Sequence, residues 1–185
     1  MNELISDLAK QTRDAVKSVV EGTGDVATSA AGAVSKSLSA ALQGGDTVAD
    51  RVVEVATDVI TGAIRGVADT SVDTMAGIQG VVQGAIKGVS MVGGDVVSAT
   101  GKIVSTTVKS TADTGKDATQ AAVSAVKGAI AATEEVGGDV SGVTKEAIIG
   151  AVNGASEISE ATADSVKKVL VTSIEGAKEV IDTIF

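Results

Sequence analysis

The side chains that carry most enzymatic chemistry are missing from this sequence. It has no His and no Cys, and so lacks the commonest general base, the strongest nucleophile and the usual transition-metal ligands. Its carboxylates lie at regular intervals instead of pairing locally in an apolar setting, as acid/base work would require. Asp46, Asp95 and Asp139 each follow a glycine pair, which invites comparison with a calcium loop. Such a loop needs further oxygen ligands at alternate positions, and these are not there. Gly77-Ile78-Gln79-Gly80 lacks the Lys-Ser/Thr ending of a phosphate-binding loop. The expectation is a protein without catalytic, metal or cofactor sites.

The charges are sorted. Arg65, Lys87 and Lys109 recur at one spacing, and Asp25, Asp69, Asp113, Glu135, Glu157 and Glu179 lie on a related column. Along one helix Arg65 could meet Asp69, and Lys109 could meet Asp113, for about 0.2 to 0.5 kcal/mol each. This reads as a solvated face, with the alternative that acidic and basic edges fix the register between adjacent helices or subunits.

Both patterns are consequences of a 22-residue period that runs the length of the chain without insertion or deletion. Steps of 22 from Val16 reach Leu38, Ile60, Val82, Val104, Val126, Ile148 and Leu170. Steps from Val20 reach Leu42, Ile64, Ile86, Val108, Ile130, Val152 and Ile174. Twice 11 residues in three turns gives about 3.67 per turn, near the free α-helix. Within a unit the apolar positions follow i, i+3, i+4, i+7, so the fold class is all-α. The competing reading is a β-solenoid, which Val, Thr, Gly and Asp would suit, but the alternation expected of strands is absent.

Three triplets, Gly44-Gly45-Asp46, Gly93-Gly94-Asp95 and Gly137-Gly138-Asp139, join a helix stop to a helix start. They divide a single domain into the segments 1–43, 46–92, 95–136 and 139–185, read as long helices in antiparallel hairpins or a four-segment bundle. Weaker breaks stand at Thr23-Gly24-Asp25 and Thr114-Gly115-Lys116-Asp117. Turns at every repeat would shorten the helices considerably, so the longer segments are preferred. Beside the aliphatic face runs a stripe of small residues, chiefly Gly62, Gly66, Gly84, Gly88, Gly128, Gly150 and Gly154. Each Gly inside a helix costs about 0.5 to 1 kcal/mol relative to Ala, and close backbone approach is the usual compensation. The packing residues expected from this pattern are these glycines with Ile64, Ile86, Ile130 and Val152.

The 185 residues are 44% hydrophobic with mean hydropathy +0.32, enough to fold, but the apolar residues are nearly all Val, Ala and Ile, and Phe185 is the one aromatic. A net charge of −9, with no basic cluster or stacking aromatics, argues against nucleic acid as a partner. The start, Met1 to Asp7, lacks the basic and apolar regions of a secretion signal, and no stretch resembles a membrane span, so an intracellular soluble protein is expected. The 11-residue pattern, as in Val96-Val97-Ser98-Ala99-Thr100-Gly101-Lys102-Ile103-Val104, resembles the amphipathic repeats of perilipins and synucleins, and the 22-residue unit is similar to that of exchangeable apolipoproteins. That resemblance implies a coat on lipid droplets or storage granules. The chain departs from it in having no Pro, few Lys per unit and almost no aromatics. The other functional expectation is a structural protein that assembles with itself through the aliphatic face and the small-residue stripe.

Overall fold

Over most of the described chain each 22-residue unit of sequence contributes one helix. The computed structural model describes residues 2–22, 24–43 and 49–185, and among them every regular element is helical. The helices are α1 (Asn2–Glu21), α2 (Val26–Leu42), α3 (Ala49–Ala68), α4 (Thr74–Met91), α5 (Val96–Asp113), α6 (Ala118–Val136), α7 (Val140–Ser156), α8 (Glu160–Ser173) and α9 (Ala177–Ile184). A helix of 18 residues, such as α4 or α5, is about 27 Å long. The turns are short, so each helix folds back against the one before it.

The four long segments are therefore not single helices. Segment 46–92 holds α3 and α4, 95–136 holds α5 and α6, 139–185 holds α7, α8 and α9, and 1–43 holds α1 and α2. Helices of this length are marginal in isolation, but packing of an amphipathic face stabilises these. The local signal was also more frequent than the glycine pairs suggest. Gly93, Gly115 and Gly137 stand 22 residues apart, with φ of +72°, +75° and +72°. At each, the next residue's N–H donates back to a carbonyl of the last helical turn: Gly94 to Val89, Lys116 to Thr111 and Gly138 to Thr133. The repeated turn is thus Gly-x-Asp, and Lys116 shows that its middle residue need not be Gly. Asp95, Asp117 and Asp139 then cap the following helices by accepting from Ser98, Thr119 and Gln120, and Gly142 N–H groups. Asp25 and Asp73 do the same for α2 and α4. Gly44, Gly45 and Asp46 lie outside the described residues.

Helices two apart in sequence lie side by side, giving one layer of α1, α3, α5, α7 and α9 and a second of α2, α4, α6 and α8. Between the layers lie the two aliphatic columns. Val16, Leu38, Ile60, Val82, Val104, Val126, Ile148 and Leu170 are all buried, as are Val20, Leu42, Ile64, Ile86, Val108, Val152 and Ile174, with Ile130 partly covered. Deep Thr residues adapt to this core because their hydroxyls donate within their own helix, Thr107 to the Ile103 carbonyl and Thr111 to that of Thr107.

Two predictions test the turns. Gly115→Ala forces a side chain into the left-handed region and should destabilise the fold by about 1 kcal/mol, measured by urea unfolding. The second concerns acid. Hydrogen bonds from Thr28 and Ser98 hold the Asp25 and Asp95 carboxyls below the usual range, so their contribution is complete above the unfolded value of about 3.9 and is lost as pH falls through the folded-state values. Asp58 works in the opposite sense, its carboxyl being raised by burial and by nearby Glu54. Asp25→Asn with Asp95→Asn keeps a capping acceptor without the titration. Its melting temperature should fall less than the parent's between about pH 5 and about pH 2, and equal falls would show that the caps are not the source of acid sensitivity.

Candidate functional site

No cluster of His, Cys, Asp and Glu able to hold a metal ion occurs among the described residues, and the candidate site is one of packing surfaces. The small-residue stripe lies inside the chain. Gly62, Gly66, Gly84, Gly88, Gly128, Gly150 and Gly154 are all buried, each against the helix two before its own. A Cβ built on Gly62 would collide with the Ala9 backbone, and one on Gly150 with the Gly101 backbone. On Gly66 it would lie 2.6 Å from the Arg13 carbonyl oxygen, on Gly128 2.6 Å from that of Gln79, and on Gly154 2.8 Å from that of Ser105. Gly84 meets Ala31 and Val34, and Gly88 meets the Leu38 side chain. The glycines join neighbours within a layer, while Ile64, Ile86 and Val152, with the partly covered Ile130, belong to the core. Both surfaces that could have served between chains are used within one.

The charged columns also act between helices. Asp69 pairs with Arg13 of α1 at 2.5 Å, Glu135 of α6 with Lys87 of α4 at 2.5 Å, and Glu157 with Lys109 of α5. The Lys109 ammonium donates to Glu157 and holds that carboxyl below its ordinary range. The intrahelical pairs Arg65–Asp69 and Lys109–Asp113 give way to contacts between helices two apart, because the within-layer packing brings those partners together. Exposed pairs of this kind contribute about 0.2 to 1 kcal/mol each, enough to favour a register but not to create the fold.

One surface was not apparent from the sequence, since it depends on how the stack ends. Between α1 and α2 an open groove of about 570 Å³ is lined by Leu8, Thr12, Ala15, Val19, Ala33 and Ala41, among others. Val19 is 41% exposed. Two repeats, or 44 residues, further on, Leu8, Thr12, Ala15, Val19 and Ala41 correspond to Val52, Ala56, Val59, Ala63 and Ala85, every one of them buried. The groove is the core pattern of the interior presented at an end. Thr12, 1% exposed, has a hydroxyl with no hydrogen-bond partner, whereas Thr100, at the corresponding position four repeats on, donates to Val96.

Over nearly its whole length the chain is similar in fold to the crystal structure of a de novo designed helical repeat protein. The TM-score is 0.53 and the identity 16%, with 99% of this chain and 96% of that one covered. No protein-family model matches the chain, and no curated protein matches it. No described helix is long and apolar enough to cross a membrane. The all-α repeat class expected from the 22-residue period is thus the fold observed.

The glycines divide into two predicted classes. Gly62→Ala drives a methyl group into the Ala9 backbone and should cost about 1 to 3 kcal/mol. Gly32, exposed on α2, would place a Cβ in open space, so Gly32→Ala should stabilise by about 0.5 to 1 kcal/mol through helix propensity. Chemical unfolding of the two variants should give opposite signs.

Proposed function

We propose that this is a non-enzymatic structural protein that assembles with copies of itself, and that it does so through the apolar groove between α1 and α2. The supporting observation is the groove between α1 and α2, where Ala15, Val19 and Ala41 occupy positions whose later equivalents are buried. The sides of the helices do not support the reading, because the aliphatic columns and the glycines are occupied within the chain. An end of a repeat array carries the same incomplete packing that each internal repeat satisfies with its neighbour. Burial of that apolar area against another copy would supply the driving force. The partner is accordingly self, with no role assigned to nucleic acid or a cofactor.

The alternative is a coat on lipid droplets, storage granules or membranes. In its favour, the aliphatic columns continue through all the repeats, so an opened chain would present one long apolar face. Opening would have to separate the two layers, since Ile60, Ile86 and Ile148 are fully buried.

Sedimentation velocity across a concentration series tests the self-association. The parent should gain mass with concentration, whereas Ala15→Glu, at an exposed position, should remain monomeric with unchanged helical circular dichroism. A parent that stays monomeric at its highest soluble concentration, yet floats with neutral lipid droplets, would replace the scaffold with the coat.

A further inference from the structure

Met91 departs from the charge pattern of its own repeat column. At 22-residue steps that position holds Asp25, Thr47, Asp69, Met91, Asp113, Glu135, Glu157 and Glu179, so a thioether stands where six of the other seven members carry a carboxylate. Its contacts follow the column all the same. The Asp69 carboxylate accepts from Arg13, 56 residues earlier on the helix two before its own. One repeat on, the Met91 sulfur accepts from the Ser35 hydroxyl, again 56 residues earlier, at 3.3 Å. The Ser39 hydroxyl, one turn along α2, reaches the same sulfur at 3.9 Å. Two hydroxyl donors thus converge on a thioether, which is a weak acceptor.

Met91 is also open to reagents. It is 70% exposed and lies on an open groove of about 920 Å³ between α2 and α4, which Ser35, Ser39, Gln79 and Gln83 also line. Met75, by contrast, is half-buried and packs against the core. A thioether within reach of a hydroperoxide is oxidised by it to the sulfoxide. A sulfur lone pair attacks one peroxide oxygen, the S–O bond forms as the O–O bond breaks, and the proton passes to the departing oxygen, which leaves as water or an alcohol. The product presents a strongly polarised oxygen in place of a weak sulfur acceptor.

We propose that Met91 is a site of reversible oxidation by hydroperoxides, and that its sulfoxide oxygen takes the acceptor place that Asp69 holds one repeat earlier. The Ser35 and Ser39 hydroxyls donate to that oxygen, so that oxidation fastens α4 to α2. The modification is independent of the self-association proposed above, and each can fail without the other.

Hydrogen peroxide applied to the full chain, with peptide mass mapping, tests both halves. In the folded protein Met91 should gain its oxygen about tenfold faster than Met75, since susceptibility follows exposure, and in concentrated urea the two should react alike. Stopped when Met91 but not Met75 is modified, the oxidised chain should resist urea better than the reduced one, its unfolding constant lowered about threefold by the added hydrogen bonds. Treatment with a methionine sulfoxide reductase should return it to the starting value. Ser35→Ala/Ser39→Ala removes both donors and keeps the exposed thioether, so its Met91 should still be oxidised while its unfolding constant stays the same. Equal rates at Met91 and Met75 in the folded chain overturn the proposal, as does oxidation that weakens the parent or shifts parent and double variant alike.

Discussion

Two helices can bring their backbones into contact only where no Cβ stands between them, and that requirement governs the architecture. Gly62, Gly66, Gly128, Gly150 and Gly154 let each helix rest on the main chain of the one two before it. Dense dispersion contacts follow from such an approach, offsetting the conformational cost of Gly within a helix. In α5, Thr106 and Ser110 occupy the positions held by Gly62 and Gly66 in α3 and by Gly150 and Gly154 in α7. There Ser110 lies 3.3 Å from the hydroxyl of Thr61, so a polar contact replaces direct backbone approach, and α5 sits less closely on α3.

Close spacing within a layer fixes what the core can contain. Val, Ile and Leu fill both aliphatic columns, Ala fills much of the space around them, and the single aromatic, Phe185, lies outside the core. Small, stiff side chains suit a narrow space between layers, and Thr extends the set because its hydroxyl finds a carbonyl one turn back. The same restriction explains why the sequence repeat is half the structural one. Successive helices alternate between layers and run in opposite directions, yet each offers the same columns to the core and to its within-layer neighbour. One 22-residue design serves both layers, and the unit that repeats by translation is a hairpin of two.

Much of this was legible in the sequence. The columns of Val16 and Val20 mark the core helix by helix, and the small-residue column identifies the tight contacts, because period and residue size are local properties. The partners of those surfaces were not legible. A face that can pack against another chain looks the same as one that packs two helices along, and only the position of the turns decides between them. The turn needs Gly-x-Asp and not a glycine pair, so Gly115-Lys116-Asp117, a weak break by the Gly-Gly-Asp pattern, is equivalent to the others. The ion pairs failed for a related reason: Lys109 is four residues from Asp113 in sequence but reaches Glu157 across the layer.

The contrast between the ends follows from a single column put to two uses. Gly66, Gly88 and Gly154 lie within their helices and meet the preceding layer member, while Gly176, in the same column, takes φ +78° as the residue that opens α9. Helix α8 stops after 14 residues, where Ile174 turns to extended backbone, and the chain swings into α9, whose 8 residues lie against α7. Thr172, one turn earlier in the other small column, is exposed where Gly150 is buried, so α8 meets α6 less extensively than α7 meets α5. At α1 and α2 the rule is kept, with Ser18, Gly22 and Ala40 still in the small columns and exposed. A helix pair that keeps the repeat's rule with nothing packed on it leaves its small columns uncovered, as the groove between α1 and α2 shows.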